Sequence, residues 1–186
     1  MKRAALLLVV LVAGCSAPMV SQGPSPQMVR PAPLPRREAA PVKQAAPSQA
    51  DFILVDKSDR TLTLFNRGVP FKSYVGLQLG GAPAGAKHFE GDARTPEGDY
   101  TIDLRNPQSA YHLSLHISYP SAADRAYAEA YGRSPGGEIF IHGQPNELVE
   151  GRAPGDWTDG CIAVSDAEIE ELWREVPDGT PIEIRP

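Results

Sequence analysis

The sequence predicts an α+β domain that is predominantly β, and three observations lead there. Short runs with an apolar period of two recur between turn signals from Asp51 onward. Two segments, opening at Ser121 and Ser165, join the Ser-x-x-acid sequence of a capping box to a helix-forming run. The strand-like runs outnumber these helices, and all of them lie after a proline-rich stretch, which points to a single compact domain.

The elements follow in order. Residues 52–55 form an apolar run, residues 56–60 are turn-like, and residues 61–65 alternate with Leu62 and Leu64 on one face. Asn66, Arg67 and Gly68 supply a turn before residues 69–77, giving an antiparallel meander. Residues 79–85 are loop by their glycines, alanines and Pro83. Thr95, Pro96, Glu97 and Gly98 predict a tight turn, with Gly98 free to take positive φ, and residues 100–104 resume a strand.

Residues 112–119 place His112, Ser114, His116 and Ser118 on one face and Leu113, Leu115, Ile117 and Tyr119 on the other. A helix would bring His112 and His116 within reach of one metal, whereas a strand separates them by about 13 Å. The alternation and the following Pro120 favour the strand, so no metal site is assigned. The polar face is either solvated or lines a cleft. A short helix runs from Ser121 to before Gly132. Ser165 and Glu168 open a second, in which Val164 can staple against Ile169, and Ile169, Leu172, Trp173 and Val176 share one face. Residues 138–143 read as a buried strand ending near His142, and residues 181–185 close the chain as a strand.

Composition bounds what this domain does. In 186 residues, 41% hydrophobic and 22% charged is the balance of a soluble globular protein. The net charge of −5 argues against a nucleic-acid binder, which needs clustered positive charge. Two cysteines, Cys15 and Cys161, are too few for a disulfide framework or a cysteine zinc site. Nineteen prolines are about twice average usage, and eight of them fall in residues 16–50, which show no apolar period. That segment is expected to be a tether biased to polyproline II, reaching roughly 100 Å at full extension. From Asp51 onward there are twelve basic and twenty-two acidic residues, a formal charge of −10.

The chain opens with Lys2 and Arg3 before an apolar run over residues 4–13, too short to span a membrane and suited to a secretory signal. Its end, Val12-Ala13-Gly14-Cys15, resembles the lipobox of bacterial lipoproteins. The resemblance implies cleavage after residue 14 and lipidation of Cys15, with an ordinary signal peptide cleaved near Ala17 as the alternative. Ser16 in place of Asp favours the outer membrane by the sorting rule of Gram-negative lipoproteins, so the expected location is the periplasm, lipid-anchored. Residues 1–14 are thus a leader, 15–50 an anchor and tether, and 51–186 the folded domain. With Cys15 lipidated, Cys161 is a lone thiol in an oxidising compartment.

Cys161 lies nineteen residues after His142. A thiol acting on a carbonyl needs a base, and donors for the oxyanion. Cys161 can be the nucleophile and His142 the base, with the amides of Gly160 and Cys161 as oxyanion donors. The second imidazole nitrogen needs a partner, and the Gly143 carbonyl is a candidate along with an unidentified Asp or Asn. His142-Gly143 followed by Thr158-Asp159-Gly160-Cys161 resembles the signature of the L,D-transpeptidases, the YkuD-like catalytic domain. The segment Gly91-Asp92-Ala93-Arg94-Thr95-Pro96-Glu97-Gly98 is similar to a second motif of that family.

This resemblance covers residues 51–186 and implies a β-sandwich or mixed sheets with short helices. It further implies a cysteine acyltransferase acting on peptidoglycan stem peptides, with no cofactor and no metal, and with carbapenems as covalent inhibitors. Cys161 would attack the third residue of the stem and expel a terminal D-alanine. A stem amine, a D-amino acid or a lipoprotein lysine would then resolve the thioester. Thr158, Asp159, His112, His116 and Arg94 are expected near substrate. Ala163 departs from the Arg or Asn usual two residues after the cysteine, so a charge is either missing there or supplied by Arg94, Arg133 or Arg152. His88 is a further candidate for the cleft. Hydrolysis on the same scaffold, and a noncatalytic wall-binding lipoprotein, are the alternatives.

Overall fold

A computed structural model describes Gly23 and residues 49–186. The expected leader, Cys15 and nearly all of the expected tether lie outside the described residues. The described chain forms β1 (Phe52–Asp56), β2 (Thr61–Asn66), β3 (Val69–Val75), β4 (Gly98–Ser109), β5 (His112–Ile117), α1 (Ala122–Ala130), β6 (Ile139–His142), β7 (Ile162–Ala163), α2 (Asp166–Glu175) and β8 (Pro181–Arg185). The strands make one mixed sheet in the order β3-β2-β1-β8-β4-β5-β6-β7. Only β1 with β8 and β6 with β7 pair in parallel.

The long strand β4 belongs to both halves of the sheet. Its start pairs with β8 and most of its length with β5. Register shifts between Ile102 and Leu104, and between Asn106 and Ser109, bend it. The apolar faces of the two halves then enclose one core, in which Ile53, Leu62 and Leu64 meet Leu115, Ile141 and Ile162. Alternation explains which residues enter: Leu62 and Leu64 of β2 are fully buried, while Thr61 and Thr63 between them are not.

The two capping boxes form as expected, Ser121 with Asp124 and Ser165 with Glu168. On α2, Ile169 and Leu172 are buried and Val176 just beyond it joins them in the core. Three features differ from the sequence reading. The fourth strand extends to Ser109, past Pro107, because the bulged ladder tolerates a residue without an N–H. The strand β7 was not expected, since its two residues pair only with distant partners, β6 and Gln78. No hydrogen-bonded turn forms at Thr95–Gly98: the segment is an extended loop whose Thr95 carbonyl and Glu97 carboxylate accept from the buried Lys57 ammonium, at 3.1 and 2.7 Å. Gly98 does take positive φ, +135°, as it enters β4.

Because α2 is held by its N-cap, Ser165→Ala is expected to cost about 1 kcal/mol. Urea denaturation measures this, with Ser165→Asp retaining most of the stability. An unshifted midpoint in the alanine variant would remove the cap from the account of α2.

Candidate active site

The site begins with sheet register. Ser114 stands opposite His142 and His116 opposite Phe140, while Ile141 and His142 pair with Ile162 and Ala163. With side chains alternating, Ser114, His116, Phe140, His142, Cys161 and Ala163 share one face, and Leu115, Ile141 and Ile162 take the core side. Two cavities open on the polar face, and Cys161, His142, Tyr111 and Glu138 line both. One, of about 320 Å³, is completed by Trp157, Thr158 and Asp159. The other, of about 280 Å³, is completed by Asn106, Ser114 and Phe140 among others.

His142 is only 2% exposed. Its Nδ1 lies 2.7 Å from the Gly143 carbonyl oxygen, so the proton belongs on Nδ1 and the Nε2 lone pair is left to act as a base. Tyr111 packs on the imidazole with ring centroids 4.5 Å apart, and Trp157 meets it edge-on at 5.6 Å. Burial lowers the pKa of His142, and the Gly143 carbonyl only partly opposes this. Burial also pushes the Cys161 thiol up, to about 11, although the Phe140 amide donates to Sγ from 3.4 Å. The thiol faces the Glu138 carbonyl at 3.5 Å. Burial thus favours the neutral form of both the thiol and the imidazole.

The approach to Cys161 is a knotted turn. Thr158 Oγ1 donates to the Cys161 carbonyl at 2.8 Å and accepts from the Gly160 amide at 3.2 Å. The Gly160 N–H, expected as an oxyanion donor, is therefore engaged within the turn. Gly160 has φ +134°, and a Cβ there would stand 2.5 Å from the Arg94 carbonyl oxygen. Gly143 is equally confined, with Asp166 Oδ1 2.5 Å from where its Cβ would be. The same Asp166 oxygen accepts from the Gln144 amide at 2.8 Å, so the N-terminus of α2 fixes the backbone that follows His142.

The other expected site residues divide. Thr158 and Asp159 line the larger of the two catalytic cavities. His112 bonds Glu170 at 2.9 Å, and His116 bonds Asp103 at 2.5 Å while standing edge-on to Phe140. Neither histidine lines either of these two cavities, because carboxylates outside the cleft hold them, and Ser114 is the residue of the β5 polar face that does. His88 stacks on Tyr127 instead. The Arg94 guanidinium lies beside Gly85, and only its backbone touches Gly160. Arg133 sits over the Phe89 ring. Arg152 is the arginine beside Ala163, with Nη2 3.3 Å from the Ala163 carbonyl oxygen and Nε 3.4 Å from Gln78 Oε1.

Several residues of the site carried no sequence signal. Tyr111 and Glu138 reach it through pairing alone. Gln144, 1% exposed, donates to the Val164 carbonyl at 2.6 Å and accepts from the Ala153 amide at 2.9 Å. Gln78 donates to the Gly155 carbonyl at 2.7 Å, and Arg60 grips the Asp156 carboxylate with both terminal nitrogens. Together they pin the connection between His142 and Cys161. Trp157 alone was within reach of the motif. Asp92, from the second motif, is a loop organiser: burial opposes its charge, but the amides of Phe89 and His88 and the Lys87 ammonium hold it at about 2. Among the described residues, no three His, Cys, Asp or Glu side chains gather as a metal site.

A sequence profile of the L,D-transpeptidase catalytic domain (YkuD) matches residues 50–184. Among solved structures, the chain is similar to the helical cell shape determining protein Pgp2 from Campylobacter jejuni, at 26% identity and a TM-score of 0.58, covering 72% of this chain and 46% of that one. It is also similar to Bd1075 from Bdellovibrio bacteriovorus, at 25% identity and a TM-score of 0.54, covering 76% and 50%. The chain thus spans about half the length of these structures. No curated protein matches it. With a profile match over most of its length and the same sheet architecture, the chain belongs to the L,D-transpeptidase catalytic domain family.

Proposed function

We propose that the chain is a cysteine acyltransferase acting on peptidoglycan stem peptides. The observation that supports this most is the pairing of Cys161 and His142 on one sheet face, both lining the same two cavities, with Nδ1 of the histidine held by Gly143. His142 Nε2 takes the Sγ proton as sulfur bonds to the carbonyl carbon of the third stem residue. The Cys161 amide donates to the oxyanion. Collapse breaks the C–N bond to the terminal D-alanine, and His142 returns the proton to the leaving amine. An acceptor amine then attacks the thioester, gives its proton to His142 and restores the thiol.

A second reading replaces the amine with water, so that the same site trims stem peptides. Purified chain incubated with disaccharide tetrapeptide separates the two. Cross-linked dimer or exchanged D-amino acid marks transfer, whereas tripeptide alone marks hydrolysis. Meropenem is expected to add covalently to the chain, and Cys161→Ala to lose both the adduct and turnover. Full activity in that variant would sink either reading.

The neutral resting pair has a pH signature. Iodoacetamide alkylation of Cys161 is expected to rise with pH up to about 11, where the thiol ionises, without levelling near 8.5. Turnover should persist below the ordinary histidine range before falling, because His142 resists protonation. An alkylation rate flat from pH 6 upward would instead indicate a thiolate–imidazolium pair.

We also infer that Cys15 carries a lipid and that the domain works in the periplasm from the outer membrane. Cys15→Ser should move the chain from the membrane fraction to the soluble one. Retention in the membrane fraction would refute the anchor.

A further inference from the structure

Beyond the catalytic cavities, α1 carries an exposed aromatic surface. Tyr127 is 42% and Tyr131 63% exposed, one helical turn apart, with ring centroids 5.0 Å from each other. The loop before β4 adds His88, stacked on Tyr127 at 4.4 Å, and Phe89, edge-on to Tyr131 at 5.7 Å. The Arg133 guanidinium covers Phe89 at 3.9 Å. Burial of the core does not explain rings left this open.

This surface connects to the active site. Lys87 and Glu90, on either side of His88 and Phe89, line a cavity of about 460 Å³. That cavity shares Gly137, Glu138 and Asp159 with the cavity that holds Cys161 and His142. Its wall is fixed, since the Glu90 amide donates to the Ser134 carbonyl at 2.9 Å and a Cβ on Gly136 would lie 3.3 Å from Glu90. The two cavities thus adjoin at Gly137, Glu138 and Asp159, and the outer one ends at Lys87 and Glu90, the chain neighbours of His88 and Phe89.

We infer that the aromatic surface of Tyr127, Tyr131, His88 and Phe89 binds the glycan strand of peptidoglycan, seating the sugar from which the reacting stem peptide hangs. The inference rests on the proposed function, which it deepens by naming the part of the substrate outside the peptide. Sugar rings offer a face of C–H groups and a rim of hydroxyls, and they suit aromatic faces flanked by hydrogen-bonding groups. Here the tyrosine hydroxyls, the His88 imidazole and the Arg133 guanidinium supply that rim. The domain's formal charge of −10 disfavours polyanions and anionic lipids, whereas an N-acetylated glycan is neutral. Three stem residues separate the attacked carbonyl from the sugar, roughly 10 Å of extended chain, so a sugar is expected to sit outside the cavity that holds Cys161, on the side where the adjoining cavity opens.

The test uses the full chain, the double variant Tyr127→Ala/Tyr131→Ala, and Tyr131→Phe, which keeps the ring. Chitohexaose, a peptide-free β-1,4 N-acetylglucosamine oligomer, is titrated by calorimetry. Saturable binding should weaken about tenfold in the double alanine variant, or about 1.4 kcal/mol, and persist in Tyr131→Phe. In turnover, the double variant should lose about tenfold in kcat/KM on disaccharide tetrapeptide and nothing on free tetrapeptide. Equal loss on both substrates, no loss on either, or absence of chitohexaose binding by the intact chain would overturn the inference. So would concentration-dependent dimerisation abolished by the double variant, which would make a second copy the occupant. Failure of the proposed function reads differently: the intact chain then turns over neither peptide, while the chitohexaose titration still reports on the surface.

Discussion

The site depends on a parallel ladder of two residue pairs, Ile141 with Ile162 and His142 with Ala163. A parallel pairing needs a crossover, because the chain must return to the end at which it began. Here the crossover is the stretch between His142 and Cys161, and it becomes the wall of the cavity that holds both, contributing Trp157, Thr158 and Asp159. The ladder is too short to hold that stretch in place, so side-chain contacts do it. Gln144, Gln78 and the Arg60–Asp156 ion pair tie the crossover to three other parts of the fold. The antiparallel bridge of Gln78 with Ala163 covers the outer side of β7. Cys161 and His142, the proposed nucleophile and base, are thus placed on one face by backbone register and kept there by buried amides.

Electrostatically, the site is shaped by burial more than by charge. The imidazole and thiol are both shifted toward their neutral forms, and the groups nearest them are backbone carbonyls and amides. The acids lie outward, at Glu138, Asp159 and Glu90, along the adjoining cavities. In the proposed mechanism such an arrangement develops charge as the proton moves, which would place the demand on the oxyanion donor and on the fixed Nδ1–H. Arg152 is the nearest compensation for Ala163. Its contact is with the carbonyl of that residue, so it stabilises the backbone beside the site without lining the cavity.

Most of the fold was readable because its signals are local. An apolar run marked β1, alternation marked β2 and β5, and Ser-x-x-acid marked the starts of both helices. The motif residues His142, Gly160 and Cys161 were readable because they are close together or follow a family wording. What sequence did not provide was pairing. Strand β7 has two residues and no period, and Tyr111 or Gln144 becomes part of the site only through strands and loops distant in sequence. The polar face of β5 illustrates the limit: alternation placed His112, Ser114 and His116 on one side, yet Asp103 and Glu170 draw the histidines away and leave only the serine in the cleft. The supposed turn at Thr95–Gly98 failed for a similar reason, since the Lys57 ammonium claims its carbonyl.

The position of β1 bears on how the domain withstands load. The chain enters the fold at Ala50, whose amide is bonded to the Glu175 carbonyl, and passes directly into β1. That strand is interior to the sheet, antiparallel to β2 on one side and parallel to β8 on the other. A force applied through the preceding segment pulls along the strand axis, so both ladders are loaded in shear and their hydrogen bonds must break together. An edge strand would peel open one bond at a time. The catalytic half, β5 to β7, lies across β4 from that line of force. Tension at the point of entry is borne by strands that contribute nothing to the cavity around Cys161.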